Sequence, residues 1–149
     1  VREEKAKYVY AATVVFILLA GVYVRLFFGP FLFPLPNIVA WSVGGVFFFV
    51  GSILFIKWRK LKDEIYKGTL VTKGVYEHIR HPHYSSIILM AFGVSFLLQS
   101  LLFLLFTIFN VIVLNEVARK EEDYLIKTHG AEYEEYMKKV RWRFIPLVI

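Results

Sequence analysis

Between Ile87 and Leu114 the chain runs for 28 residues without a charge. At about 1.5 Å per residue a helix of that length reaches about 42 Å, more than the roughly 30 Å of a bilayer's hydrocarbon core. The stretch is therefore one steeply tilted helix or two short ones folded back at "LLQSLL", Leu97 to Leu102. Backbone polar groups in hydrocarbon must be paired within the segment, so helices are the expected spanning elements. The composition agrees: 58% hydrophobic residues with a formal charge of +6 describe an oily chain with a basic surplus, the membrane class. With no cysteine, a disulfide framework, a thiolate zinc site and a catalytic thiol are all excluded.

Two further apolar stretches precede it. From Tyr8 to Phe28 the only charge is Arg25, close enough to the far end for its side chain to snorkel to the headgroups. This run is too long for the apolar part of a cleaved signal peptide and reads as a first span, 8–28. "GPFLFPLPN" then places three prolines in a short interfacial turn. A second span is expected over 38–56, ending in "KWRKLKDEIYK". Its Gly44, Gly45 and Gly51 either permit close helix approach or reflect the general frequency of glycine in membrane helices. Because the chain begins on Val1, four helices are expected as a lower bound.

Apart from Arg25, the basic residues fall at the N-terminus, over Lys57 to Arg80, and over Arg119 to Arg143. Keeping all three blocks on the cytoplasmic side requires an even number of crossings between the second and the third. A hairpin over 84–118, turning near Gln99 and Ser100, satisfies this. Its second limb then has room to continue into the cytoplasm as a helix to about Thr128. The expected architecture is an all-α integral membrane protein, one membrane domain over 1–149. It has about four membrane segments, a C-terminal cytoplasmic helical cap, and both termini inside.

A hairpin brings "GVYEHIRHPHYSS", Gly74 to Ser86, and "NEVARKEEDYLIKTHG", Asn115 to Gly130, to the same membrane face. Pro82 suits a first helical turn, with His81 at or beside the N-cap. The acidic pair Glu121 and Glu122 would face them from the other limb. A solvated amphipathic juxtamembrane helix would look similar, so residue chemistry alone leaves a structural role open. His81 and His83 flank a proline and have no His-x-x-x-His or cysteine partner nearby, which argues against a metal site. The basic residues follow the membrane topology, so no nucleic-acid partner is expected.

"LVTKGVYEHIRHPHY", followed about 35 residues later by "EEDYLIKTHGAEYEEYMKKV", resembles the isoprenylcysteine carboxyl methyltransferase family and the related phospholipid methyltransferases. The resemblance covers roughly Gly68 to Pro146, a methyltransferase core. It implies S-adenosylmethionine as cofactor and a lipid or prenylated small-molecule acceptor reached from the membrane. Carried over residue by residue, it implies that Gly68, Thr69, Leu70, Val71, Tyr76, His81, Pro82, His83, Tyr84 and Glu121 line the cofactor. A sulfonium and an ammonium call for a carboxylate and aromatic faces, and the cofactor's own carboxylate for N–H donors or histidine. No Gly-x-Gly-x-x-Gly is present, and none is expected outside a Rossmann fold.

The chain departs from the family pattern twice. Ser86 stands where the family has glycine, and Val117 where the isoprenylcysteine enzymes carry an arginine for the substrate carboxylate. Arg119 is the nearest basic residue, although two helical positions turn it by about 200°. Arg119, Tyr84 and Glu122 are the candidate catalytic residues; Tyr84, His83 or Glu122 would serve as base for an amine acceptor. Phospholipid headgroup N-methylation and a non-catalytic binding or assembly module are the alternatives. A related membrane fold also serves sterol reductases, which use a nicotinamide cofactor. The oligomeric state is left open by the sequence.

Overall fold

The structure, a computed structural model, describes residues 15, 19–20, 22–23, 26–27 and 35–145. The first expected span, Tyr8 to Phe28, and its Arg25 lie largely outside them. Among the described residues the fold is helical, with no strand.

Helix α1, Asn37–Arg59, begins directly after Pro36, whose φ of −56° already suits a helix start, and carries Lys57 and Arg59 in its last turn. A five-residue helix α2, Lys62–Tyr66, and a 3-10 turn, Gly74–Glu77, lead to α3, Pro82–Leu97. Helix α4, Leu101–His129, and the short α5, Ala131–Lys139, complete the order. α1 and α4 are long and apolar enough to cross a membrane. α3, with 16 residues, reaches about 24 Å at about 1.5 Å per residue, short of a full hydrocarbon core.

The 28-residue uncharged stretch is broken into two helices. Between α3 and α4 Gln99 adopts a φ of 50°, and the Ser100 side chain accepts a bond from Phe103 N–H at 3.2 Å, capping α4. Gln99 is tied to the start of α1 by a 2.9 Å bond from its Nε2 to Asn37 Oδ1. Ser95 Oγ and Thr107 Oγ1 lie 3.2 Å apart, and Ile88 shares a buried cluster with Ala118, so α4 runs back along α3. Its polar half continues unbroken to His129, where Gly130, with φ 57°, ends it.

α1 buries only Ala40, Gly44 and Gly51, one stripe facing α3, while Val46, Phe49 and Ile56 among others stay exposed, as a lipid-facing surface would. Two of its glycines are there because backbone meets backbone. A Cβ on Gly44 would stand 2.8 Å from Gly93 O, and one on Gly51 2.8 Å from Ser86 O. Gly45 faces open space. Ser86 is fully buried and donates its hydroxyl to His83 O at 2.6 Å, so the serine in place of the family glycine is accommodated opposite Gly51.

Candidate functional site

Pro82 occupies the first turn of α3 with His81 as N-cap residue, but the His81 side chain makes no cap bond and turns toward α4. The segment 80–85 is held by the chain's return after α5. Arg80 N–H donates to Trp142 O at 2.9 Å, His81 N–H to Arg143 O at 3.0 Å, and Ser85 Oγ to Phe144 O at 2.6 Å. Phe144, 1% exposed, closes the cluster with Ile88 and Ala118 and meets the rings of His81 and Tyr84 edge-on.

The adjacent glutamates of α4 have different surroundings. Glu122, its side chain 4% exposed, takes Arg80 Nε at 2.8 Å and Arg143 Nε at 3.1 Å on Oε1, and Arg143 Nη2 at 2.7 Å on Oε2. His81 Nε2 lies 3.1 Å from the same Oε1. Arg143 also donates to Asn115 Oδ1 at 2.6 Å, and Arg80 to the carbonyls of Val140 and Arg141 at 2.8 Å each. Glu121, its side chain 48% exposed, pairs with His81 Nδ1 at 3.5 Å and lies beside Tyr84. Its carboxylate faces outward, bordered by the His81 and Tyr84 rings, which stack at 5.6 Å and 19°.

Further aromatics extend this border. His83 stacks on Trp58 of α1 at 4.0 Å, Trp58 Nε1 donates to Tyr76 Oη at 3.2 Å, and Tyr136 Oη donates to Tyr76 O at 2.7 Å. Leu70 joins Tyr76 against the buried Tyr133, Tyr136 and Val140, and Val71 is itself buried.

The structure thus brings Tyr76, His81, His83, Tyr84 and Glu121 into one continuous set of contacts, with Leu70 at its edge and Pro82 buried beneath. Gly68, with φ 78°, and Thr69 are exposed and stand outside these contacts. Arg119 is also left out: it is exposed and pairs with Glu116 at 3.3 Å. Glu122, a candidate base from sequence, is instead a buried structural node with its acceptor sites taken by two guanidiniums and an imidazole. Trp58, Asn115, Tyr136 and Arg143 were not anticipated. The usable signal for Arg143 was the acidic pair itself, because a buried glutamate requires a cation and the guanidinium fork matches it.

Burial of His81 lowers its affinity for a proton, but hydrogen bonds and charge from Glu121 and Glu122 outweigh that and raise its pKa above the ordinary 6.5. A raised pKa means that the stabilisation is fully present below pH 6.5 and is lost as the pH rises through the folded-state value. The Tm of the detergent-solubilised protein is therefore expected to fall above pH 6.5 relative to that of His81→Asn. Parallel Tm–pH curves for the two proteins would contradict this.

The family model described as "Ergosterol biosynthesis ERG4/ERG24 family" matches residues 63–149, the segment that holds nearly all of these groups. The chain is similar to a protein named protein-S-isoprenylcysteine O-methyltransferase from Schizosaccharomyces pombe, with 38% identity over 83 residues, 55% of this chain and 34% of that protein. A protein of the same name from Saccharomyces cerevisiae is 38% identical over 86 residues, 57% of this chain and 34% of the relative. One from Dictyostelium discoideum is 26% identical over 132 residues, 78% and 54% respectively. The chain thus spans about a third of the length of the two yeast relatives and about half of the third. No solved structure matches.

Proposed function

The chain belongs to the ergosterol biosynthesis ERG4/ERG24 family, and from the site in the matched segment we propose that it is an S-adenosylmethionine-dependent methyltransferase acting on a lipid-borne acceptor at the membrane interface. Glu121 carries this reading: a half-exposed carboxylate on α4, paired with His81 at the start of α3 and beside Tyr84, at the polar end of two apolar helices. A carboxylate beside ring faces fits a ligand with sulfonium and ammonium groups. The names of the relatives support methyl transfer.

When bound, the cofactor supplies an electrophilic methyl group for direct displacement. What remains for this chain is alignment and charge placement. Glu121 would hold the cationic part of the cofactor, and His81 and Tyr84 fix that carboxylate. The ring faces of Tyr84, His83 and Trp58 would exclude water along one side. A carboxylate acceptor needs no base. For an amine acceptor the base candidates reduce to Tyr84 and His83, since Glu122 is locked between arginines.

The acceptor is either a prenylcysteine carboxylate, as the names of the relatives suggest, or a phospholipid amine. Val117, one turn before Glu121, presents no cation for an acceptor carboxylate. The family description favours a second reading, a sterol-directed enzyme, for which the resemblance to sterol reductases implies a nicotinamide cofactor. Against it, Arg80 and Arg143, the arginines of the cluster, are committed to Glu122 and not free for a phosphate. Calorimetric titration of the solubilised protein with S-adenosylmethionine and with NADPH separates the two: binding of NADPH alone would overturn the methyltransferase. Methylation assays with farnesylcysteine analogues and phosphatidylethanolamine then identify the acceptor.

The site requires the Lys57 to Arg80 connection and the α4–α5 end to lie on one face, which we place in the cytoplasm. Single cysteines introduced at Lys67 and Lys138 are expected to react with an impermeant thiol reagent from the same side, and one at Leu101 from the other. Labelling of positions 67 and 138 from opposite sides would refute this topology.

A further inference from the structure

We propose that Glu122 is a positioning residue for the donor site: from the buried node it forms with Arg80 and Arg143 it grips His81 Nε2, which holds the opposite ring nitrogen on Glu121 and so ties the alignment of that carboxylate to the C-terminal segment. The inference rests on Glu121 being the donor-binding carboxylate, and adds what keeps it in place.

An imidazole is rigid, so fixing one ring nitrogen fixes the direction of the other. In His81 both face carboxylates, Nε2 toward Glu122 Oε1 at 3.1 Å and Nδ1 toward Glu121 Oε2 at 3.5 Å. Of the two, only Glu122 is itself immobilised. Arg143 grips both its oxygens, Arg80 takes Oε1 as well, and these arginines are anchored to Asn115 Oδ1 and to the carbonyls of Val140 and Arg141. The strand-like return of 142–143 along 80–81 adds two backbone bonds to the same link. A half-exposed glutamate on a helix surface otherwise samples several rotamers, and the chain of contacts from Arg143 through Glu122 and His81 removes that freedom.

Charge supports the same role. The groups facing His81 are Glu121 and Glu122 from α4 and Tyr84 from α3; Arg80 and Arg143 share Glu122 with it, and His83 reaches it only through the Tyr84 ring. Glu122 offsets the two arginines. Without its charge they would repel a proton from His81, and the ring would lose the N–H that it directs at Glu121 or at Glu122.

The test follows the His81 imidazole by 15N NMR in detergent, its signal assigned by comparison with His81→Asn, and measures S-adenosylmethionine affinity by calorimetry in parallel. Glu122→Gln is expected to lower the His81 titration midpoint by about one pH unit or more, which is about tenfold in proton affinity. It should also weaken S-adenosylmethionine binding by about tenfold, an energy of about 1.4 kcal/mol. A folded Glu122→Gln protein with an unmoved midpoint, or with a moved midpoint and parental affinity, would overturn the proposal. If that variant does not fold, Glu122→Asp keeps the charge but withdraws it by one methylene. Lowered midpoint and weakened binding together then support the role, and parental values of either overturn it. A parent that fails to bind S-adenosylmethionine would overturn the methyltransferase reading and with it the donor-site role, while an unchanged midpoint beside intact parental binding overturns the positioning role alone.

Discussion

Gly93→Leu is expected to leave no folded protein, and even Gly93→Ala to cost about 3 kcal/mol or more of stability, at or beyond the upper end of ordinary overpacking. A Cβ at Gly93 would stand 2.6 Å from Phe48 N and 2.8 Å from Gly44 O. Both are backbone atoms of α1, which can retreat only by moving the whole helix off α3. That movement would also separate Gly51 from Ser86 and Met90, and Phe47 from Phe92 and Phe96. It would displace Trp58 from His83, so the aromatic border of the site would be lost with the packing. Gly45→Ala, with nothing within 4 Å of the added atom, is the matched control. It should be neutral or stabilise by up to about 1 kcal/mol through helix propensity. Thermal unfolding of the three variants in one detergent decides the matter, and a Gly93→Ala protein as stable as Gly45→Ala would show that the helices do not meet there.

Glu122→Ala is expected to cost about 3–5 kcal/mol of stability, because it leaves Arg80, Arg143 and His81 facing one another with their shared buried anion gone. Glu121→Ala should cost clearly less stability than that, since its carboxylate is half in solvent and only its share of the His81 pairing is lost. It should instead weaken S-adenosylmethionine by about 2 kcal/mol through loss of a charge-assisted partner. Tm and calorimetric affinity for both variants provide the check. Equal loss of Tm in the two would mean that burial does not separate them.

The polarity of the chain and its breakers were legible without coordinates. Uncharged runs of membrane length, Pro36 ahead of α1, and the Gln-Ser pair in the middle of 28 apolar residues mark where helices begin and end. These are local signals, since a helix's length and its stops depend on residues within a turn or two. Pro82 at the first turn of α3 and the extension of α4 to His129 follow from the same kind of reading. The meeting of "RHPHY" with the acidic pair was inferred one step further, from the distribution of basic residues.

Which member of each similar set does the work was decided only by tertiary structure. Gly44 and Gly51 meet α3 while Gly45 does not, because a helix turns about 100° per residue and the stripe facing a neighbour depends on where that neighbour lies. Glu122 is buried and Glu121 half open for the same reason. The partners that make burial of Glu122 possible are Arg80, 42 residues before it, and Arg143, 21 residues after it across α5 and a reversal of the chain. Periodicity within one element records which face is apolar, but not which distant cation will stand against it. Charge pairing at such separations exists only once the helices have packed, so the node that organises this site belongs to the fold and not to any stretch of its sequence.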